Sequence, residues 1–139
     1  MTVFVLDSSA ILRHIDGHAG VDRVEAIIQQ VLLGGAEIQV PAVQWGEIAG
    51  ILRRRVGALQ EKRILQSLLQ INIHIVPATA ERAVRAAEIK EDRKLAYADA
   101  FALELAMDSP AHLLVTADYD FKAVDDLAPV SYTHLGAHA

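Results

Sequence analysis

Four acidic residues of this 139-residue chain stand where a carboxylate needs a reason: Asp7, Glu47, Asp99 and Asp118. Asp7 directly follows the apolar run Val3-Phe4-Val5-Leu6. Asp118 follows a second such run, His112-Leu113-Leu114-Val115, by way of Thr116 and Ala117. If both runs are strands of one parallel sheet, both acids lie beyond its carboxyl edge, where open α/β sheets bind ligands. Glu47 borders an apolar helical stripe that includes Ile48 and Leu52. Asp99 has the apolar helical neighbours Leu95, Ala96, Ala102 and Leu103. Each acid has an ordinary alternative. Asp7 is a good helix cap, Asp118 suits a turn, Glu47 can sit at a solvated helix edge, and Asp99 can favour the first turn of a helix. Asp120, close to Asp118, is either a further ligand or simply solvated. Taken together the four form an all-oxygen set, which suits Mg²⁺, or Mn²⁺, rather than zinc. Carboxylates gathered this way repel one another without cations, and with one or two divalent ions they become a device for phosphodiester hydrolysis.

The elements that must position these acids can be read from periodicity. Thr2 to Leu6 is a buried-strand pattern, and Ser8 or Ser9 is positioned to cap a short helix through about His14. Val21 to Leu32 is amphipathic and stops at Gly34-Gly35. A strand over Glu37–Val40 ends at Pro41. A helix then runs from about Ala42 to Arg55, Gly57 breaks it, and Ile64, Leu65, Leu68 and Leu69 mark another. Asn72–Val76 reads as a strand, and Thr79 as the cap of a helix with Ala80, Ala83, Val84 and Ala87 on one side. Further helices are expected over Tyr97–Met107, with Glu104 facing water, and over Phe121–Asp126. Strands are expected over His112–Val115 and, at one edge, Pro129–Tyr132. Short apolar strands alternating with helices predict an α/β fold: a single domain, residues 1–132, with a mostly parallel central sheet covered by helices on both faces. Residues 133–139 are expected to form a tail.

Composition sets the outer limits. The chain is 53% hydrophobic and 22% charged, so it can bury a core. The absence of cysteine excludes disulfides and thiolate metal sites and suits a reducing, cytoplasmic setting. No apolar stretch approaches the roughly 20 residues of a membrane span, and no signal peptide is evident. A net charge of −5 argues against nucleic-acid binding. Bound cations would offset it locally, and basic residues cluster at Arg53-Arg54-Arg55 and Arg93-Lys94.

The four acidic segments, in order and in context, resemble the PIN-domain family, and within it the VapC-type toxins of bacterial toxin–antitoxin pairs. The segments are Val3-Phe4-Val5-Leu6-Asp7-Ser8-Ser9-Ala10, Val40-Pro41-Ala42-Val43-Gln44-Trp45-Gly46-Glu47, Leu95-Ala96-Tyr97-Ala98-Asp99-Ala100-Phe101 and Leu114-Val115-Thr116-Ala117-Asp118-Tyr119-Asp120-Phe121. The resemblance implies Mg²⁺-dependent endoribonuclease activity on RNA, a cognate antitoxin partner and a homodimer. It maps Asp7, Glu47, Asp99 and Asp118 onto the family's acidic quartet, and Ser9 and Thr116 onto the hydroxyl positions that accompany it. The end of the chain, Ser131–Ala139, departs from the family pattern.

The expected reaction is in-line attack of water on an RNA phosphodiester. Asp7, Asp99 and Asp118 are the more direct ligands, while Glu47 holds a second metal, holds a water or acts as base. Ser9, Thr116 and Asp120 support the ligands, and Arg13, Arg53, Arg54 and Arg55 are candidate phosphate contacts. An antitoxin segment offering an arginine would suit the acidic cleft. The competing readings are a catalytically inactive PIN-like module binding RNA or protein, or another Mg²⁺-binding α/β domain. A receiver would want adjacent acids after the first strand, where Ser8-Ser9 stands. A haloacid-dehalogenase-like phosphatase would want a second aspartate where Ser9 stands.

Overall fold

The computed structural model describes residues 1–17, 20–117 and 131–135, with the backbone alone for 131–134. Its centre is a five-stranded, all-parallel sheet in the order β3-β2-β1-β4-β5. The strands are β1 (Thr2–Leu6), β2 (Ala36–Pro41), β3 (Ile73–Val76), β4 (His112–Thr116) and β5 (Ser131–His134). The helices are α1 (Ser8–Asp16), α2 (Val21–Leu32), α3 (Ala42–Leu69), α4 (Ala80–Arg93) and α5 (Tyr97–Ala106). The chain steps outward from β1 through β2 to β3, then crosses back to place β4 on the other side of β1. The reversal makes the carboxyl ends of β1 and β4 the switch point of the sheet, where a crevice opens in this class of fold.

Burial on both faces explains why the strands read as continuous apolar runs. Along β1, Phe4 and Leu6 point into one core with Ile11, Val24, Ile27, Ile48 and Leu52 of α1, α2 and α3. Val5, between them, points into the other with Leu103, Leu105 and Ala106 of α5 and Leu114 of β4. A third cluster, Ala86, Ala100 and Phe101, joins α4 to α5. Among the described residues no helix is long and apolar enough to cross a membrane.

Several local expectations need correction. The cap of α1 is Asp7 itself, in extended backbone, with its carboxylate accepting from the Ala10 amide; Ser8 and Ser9 lie inside the helix. The break at Gly57 occurs as expected, at φ 84° and ψ 169°, so α3 is two helical halves joined at a kink. On α4 the face turned inward carries Ala83, Ala86 and Ile89, whereas Val84 is exposed. Thr79 does cap that helix, accepting from the Arg82 amide. The last strand runs two residues beyond the expected Tyr132, and the helix expected over 121–126 lies outside the described residues.

Glu104 does not face water. It is 3% exposed and accepts hydrogen bonds from Arg82 and Arg85 of α4 at 3.0 Å each. Arg82 also binds Asp108 at 2.6 Å. That hydrogen bond above all, reinforced by Glu104, raises Arg82 above the ordinary arginine pKa against the opposing effect of burial. Small residues at Ala83, Ala86 and Ala100 let α4 approach α5, which brings the arginine heads to the otherwise unaffordable buried acid.

Two stability outcomes follow. Glu104→Gln strips the charge from under two arginines, and the variant should lose about 2 kcal/mol in urea titrations, below the fully buried case because Arg85 is half-exposed. Gly20, at φ +91°, has Leu135 Cβ only 2.6 Å from where its own Cβ would stand. Gly20→Ala should cost about 1–3 kcal/mol by the same measurement, through overpacking and left-handed strain.

Candidate active site

Three helices begin at the carboxyl edge of the sheet, and each brings an acid. Asp7 ends β1 and starts α1, Glu47 lies in the second turn of α3, and Asp99 lies in the first turn of α5. Asp7 and Asp99 are buried, at 1% and 9% exposure; Glu47 is exposed.

Donors from two directions bind Asp7. Its Oδ1 accepts from the Ala10 amide at 2.9 Å and from Ser9 Oγ at 2.7 Å, and its Oδ2 accepts from Thr116 Oγ1 at the end of β4. Ser9 Oγ in turn accepts from the Ala117 amide at 2.8 Å. Ser9 and Thr116 hydroxyls also lie 3.2 Å apart. The hydroxyl pair expected to support the first acid therefore does so by direct contact, and it fastens the exits of β1 and β4 together. A carboxylate taken from water is tolerated only with such compensation.

The acids on α3 and α5 are tied to the same edge by a residue that the sequence reading passed over. Gln44 is fully buried. Its Oε1 accepts from the Ser8 amide at 2.8 Å, and its Nε2 donates to the Ala98 carbonyl at 2.6 Å. These are the chain neighbours of Asp7 and Asp99. One turn further along α3, Glu47 Oε1 accepts from Ser8 Oγ at 3.3 Å. The only signal in the sequence was a polar side chain one turn from Ile48, on the inward face of α3.

The oxygen-only donor set matches a hard divalent cation. Among the described residues, no three acidic or histidine side chains stand close enough to hold a metal ion by themselves. Asp118 and Asp120, called as ligand and supporting acid, lie outside the described residues, immediately beyond Ala117. Of the candidate phosphate contacts, Arg13 is buried in α1. Arg53 pairs with Glu61 at 3.4 Å and Arg55 with Asp16 at 3.0 Å, both arginines with more than half of their side chain exposed. Arg54 is exposed beside them.

A doubly wound parallel sheet with acids gathered at its switch point defines a class of α/β domain whose chemistry sits on the carboxyl edge. Residues 4–127 match the family model described as PIN domain, and the chain belongs to that family. No protein with a curated description matches the chain in sequence. Among solved structures, the chain is similar to one in VapBC2 from Rickettsia felis bound to a DNA fragment from its promoter, with 14% identity, TM-score 0.71, and coverage of 97% of this chain and 100% of that one. A chain of DNA-bound VapBC from Salmonella typhimurium gives 10% identity, TM-score 0.72, and coverage of 98% and 100%. Mycobacterium tuberculosis VapC20, described as a sarcin-ricin loop cleaving toxin, gives 20% identity, TM-score 0.65, and coverage of 89% and 95%. At such identities the likeness establishes the fold. Family membership replaces the receiver and phosphatase readings.

The different settings of Asp7 and Asp99 separate their structural roles. Asp7→Asn turns an amide donor toward existing donors and should cost about 1–3 kcal/mol in thermal melts with EDTA. Asp99→Asn, which loses an anion in the first turn of α5, should cost about 0.3–1 kcal/mol from the helix dipole under the same conditions.

Proposed function

We propose that the chain is a metal-dependent endoribonuclease and the toxin of a toxin–antitoxin pair. The observation that carries this reading is that Ser8 and Ala98, the chain neighbours of Asp7 and Asp99 on different elements, meet at the two ends of the buried Gln44 side chain. Family membership supports it, as nucleases of the PIN family generally use a divalent metal. So does the likeness to chains of VapBC complexes and to a toxin described as cutting the sarcin-ricin loop.

On this reading Asp7, Asp99 and Asp118 would hold Mg²⁺ or Mn²⁺. The bound cation supplies charge neutralisation for the phosphate and acidifies water. Thr116 and Ser9 fix the Asp7 carboxylate so that it does not reorganise when substrate arrives. Glu47 is the acid of the described three that solvent reaches, and it takes the proton of the attacking water. The water oxygen would form its bond to phosphorus as the phosphorus–oxygen bond to the leaving ribose breaks, and the departing ribose oxygen would take a proton from solvent. Arg54, with Arg53 and Arg55 once they exchange their exposed partners, would bind the flanking phosphates. An antitoxin segment presenting a guanidinium would occupy the same acidic edge and block it, and the working protein is a cytoplasmic homodimer.

A panel of tRNA, rRNA and mRNA fragments incubated with the purified protein tests the reading. Cleavage should appear with Mg²⁺ or Mn²⁺ and vanish with EDTA. Asp99→Asn should slow it by about two orders of magnitude or more, the scale of several kcal/mol of charge stabilisation. In melts, wild type should gain about 2.7 kcal/mol at a hundredfold excess of metal over its Kd, and Asp99→Asn much less. Cleavage undiminished in EDTA would sink the metal-dependent mechanism. A binding module without activity would instead bind RNA and leave it intact in every metal.

A further inference from the structure

A buried primary amide is costly unless both its ends are bonded, and Gln44 meets that condition through two backbone groups that lie at functional positions. Its acceptor takes the Ser8 amide, one of the first-turn donors of α1 that the helix itself cannot satisfy. Its donor takes the Ala98 carbonyl, in the first turn of α5. Rotating the amide by half a turn would set donor against donor and acceptor against acceptor, so the two partners fix its orientation. Ser8 follows Asp7 and Ala98 precedes Asp99, so one side chain of α3 links the start of α1 to the start of α5. The same helix carries Glu47, whose carboxylate meets Ser8 Oγ. The buried residues of α1 and α5 lie in separate core clusters, and α3 touches both, through Ile48 and Leu52 on the α1 side and Val43 on the α5 side. Gln44 is a polar link across that divide.

We propose that Gln44 is a positioning residue: it sets the separation of Asp7 from Asp99 and thereby the affinity of the acidic edge for a divalent cation. The link to metal rests on the nuclease reading above; the link to geometry does not.

Three variants of the full chain separate these. Gln44→Met keeps the length and apolar stem of the side chain and removes both hydrogen bonds. Gln44→Glu keeps the acceptor for Ser8 and sets oxygen against the Ala98 carbonyl. Ile48→Val trims a fully buried side chain one turn further along the same helix. Each is assayed for amide hydrogen exchange at Ser8, for binding of Mn²⁺ alone, and for RNA cleavage across a Mn²⁺ titration. Gln44→Met should speed Ser8 exchange and raise the Mn²⁺ half-saturation by about tenfold, as loss of a group that orients ligands does. Turnover at saturating Mn²⁺ should return to within a few fold of wild type. Gln44→Glu should keep Ser8 protected yet bind Mn²⁺ more weakly, and it carries the test if Gln44→Met fails to fold. Ile48→Val should lower the melting temperature and leave the half-saturation unchanged. A folded Gln44→Met or Gln44→Glu with wild-type Mn²⁺ half-saturation overturns the proposal and leaves Gln44 a core amide. Wild type that neither binds Mn²⁺ nor cuts RNA overturns the nuclease reading and the metal role with it, while Ser8 exchange still decides whether the link exists.

Discussion

Asp7 is a carboxylate at the end of the central strand with almost no access to solvent, and the rest of the site depends on making that tolerable. Ionised oxygens withdrawn from water need donors in place of it. The chain supplies them from the first turn of α1 and from the last residue of β4. Each donor is also fixed by something else. Thr116 belongs to the sheet ladder, and Ser9 Oγ holds the Ala117 amide as the chain leaves β4. The acid is consequently locked to both strands that flank the switch point. A shift of either strand by a fraction of a hydrogen-bond length would be felt at its oxygens.

Parallel topology then does the gathering. In a doubly wound sheet every strand delivers its successor helix at the same edge, so α1 and α3 begin there after β1 and β2, and α5, which follows α4, has its first turn bound to α3 through Gln44. Their N-termini carry partial positive charge, worth a few tenths to about 1 kcal/mol for each nearby anion. This favours collecting acids at that edge and falls short of neutralising them. Glu104 shows the other solution, on the same helix as Asp99. There α4 is brought close by alanines, and two arginines compensate the acid from within the fold. A buried acid with built-in arginines belongs to the architecture, whereas the edge acids lie where ligands of this fold class bind.

Sequence periodicity made the strands and most helix limits legible, because both faces of this sheet are buried and continuous apolar runs bounded by Pro or Gly leave little choice. Thr2–Leu6 and the Gly57 break fell where expected. Of the candidate acids, Asp7 was legible as a residue type at a strand exit, since a parallel sheet brings such positions to one edge. Side-chain partnership was not. A serine in a first helical turn looks like a cap whether or not an aspartate before it takes that role, and Asp7 does. Glu104 looked solvated because its partners come from another helix, more than 18 residues earlier. Ala83 and Ala86 gave no warning that α4 would turn Arg82 and Arg85 toward it. Gln44 was invisible for the same reason: its two partners are 36 and 54 residues away, and both are backbone groups, which carry no sequence signal.

The net charge of −5 stands against the proposed RNA substrate, and the local arrangement of charge on α3 bears on that objection. Charges separated by more than about 10 Å are largely screened at 0.1 M salt, so a phosphate chain responds to the local pattern and not to the sum. Arg53 to Arg55 follow Glu47 by six to eight residues on one helix, which places them roughly 9–12 Å from the acidic edge. They end the first half of α3 just before Gly57, where the negative end of a helix dipole favours cations. That preference accounts for their position without any nucleic acid. Their ion pairs with Glu61 and Asp16 are exposed, and exposed pairs contribute about 1 kcal/mol or less. Phosphate can therefore replace those carboxylates at little cost. The helix that holds Asp7 and Asp99 in place through Gln44 thus also presents basic residues within about a screening length of them.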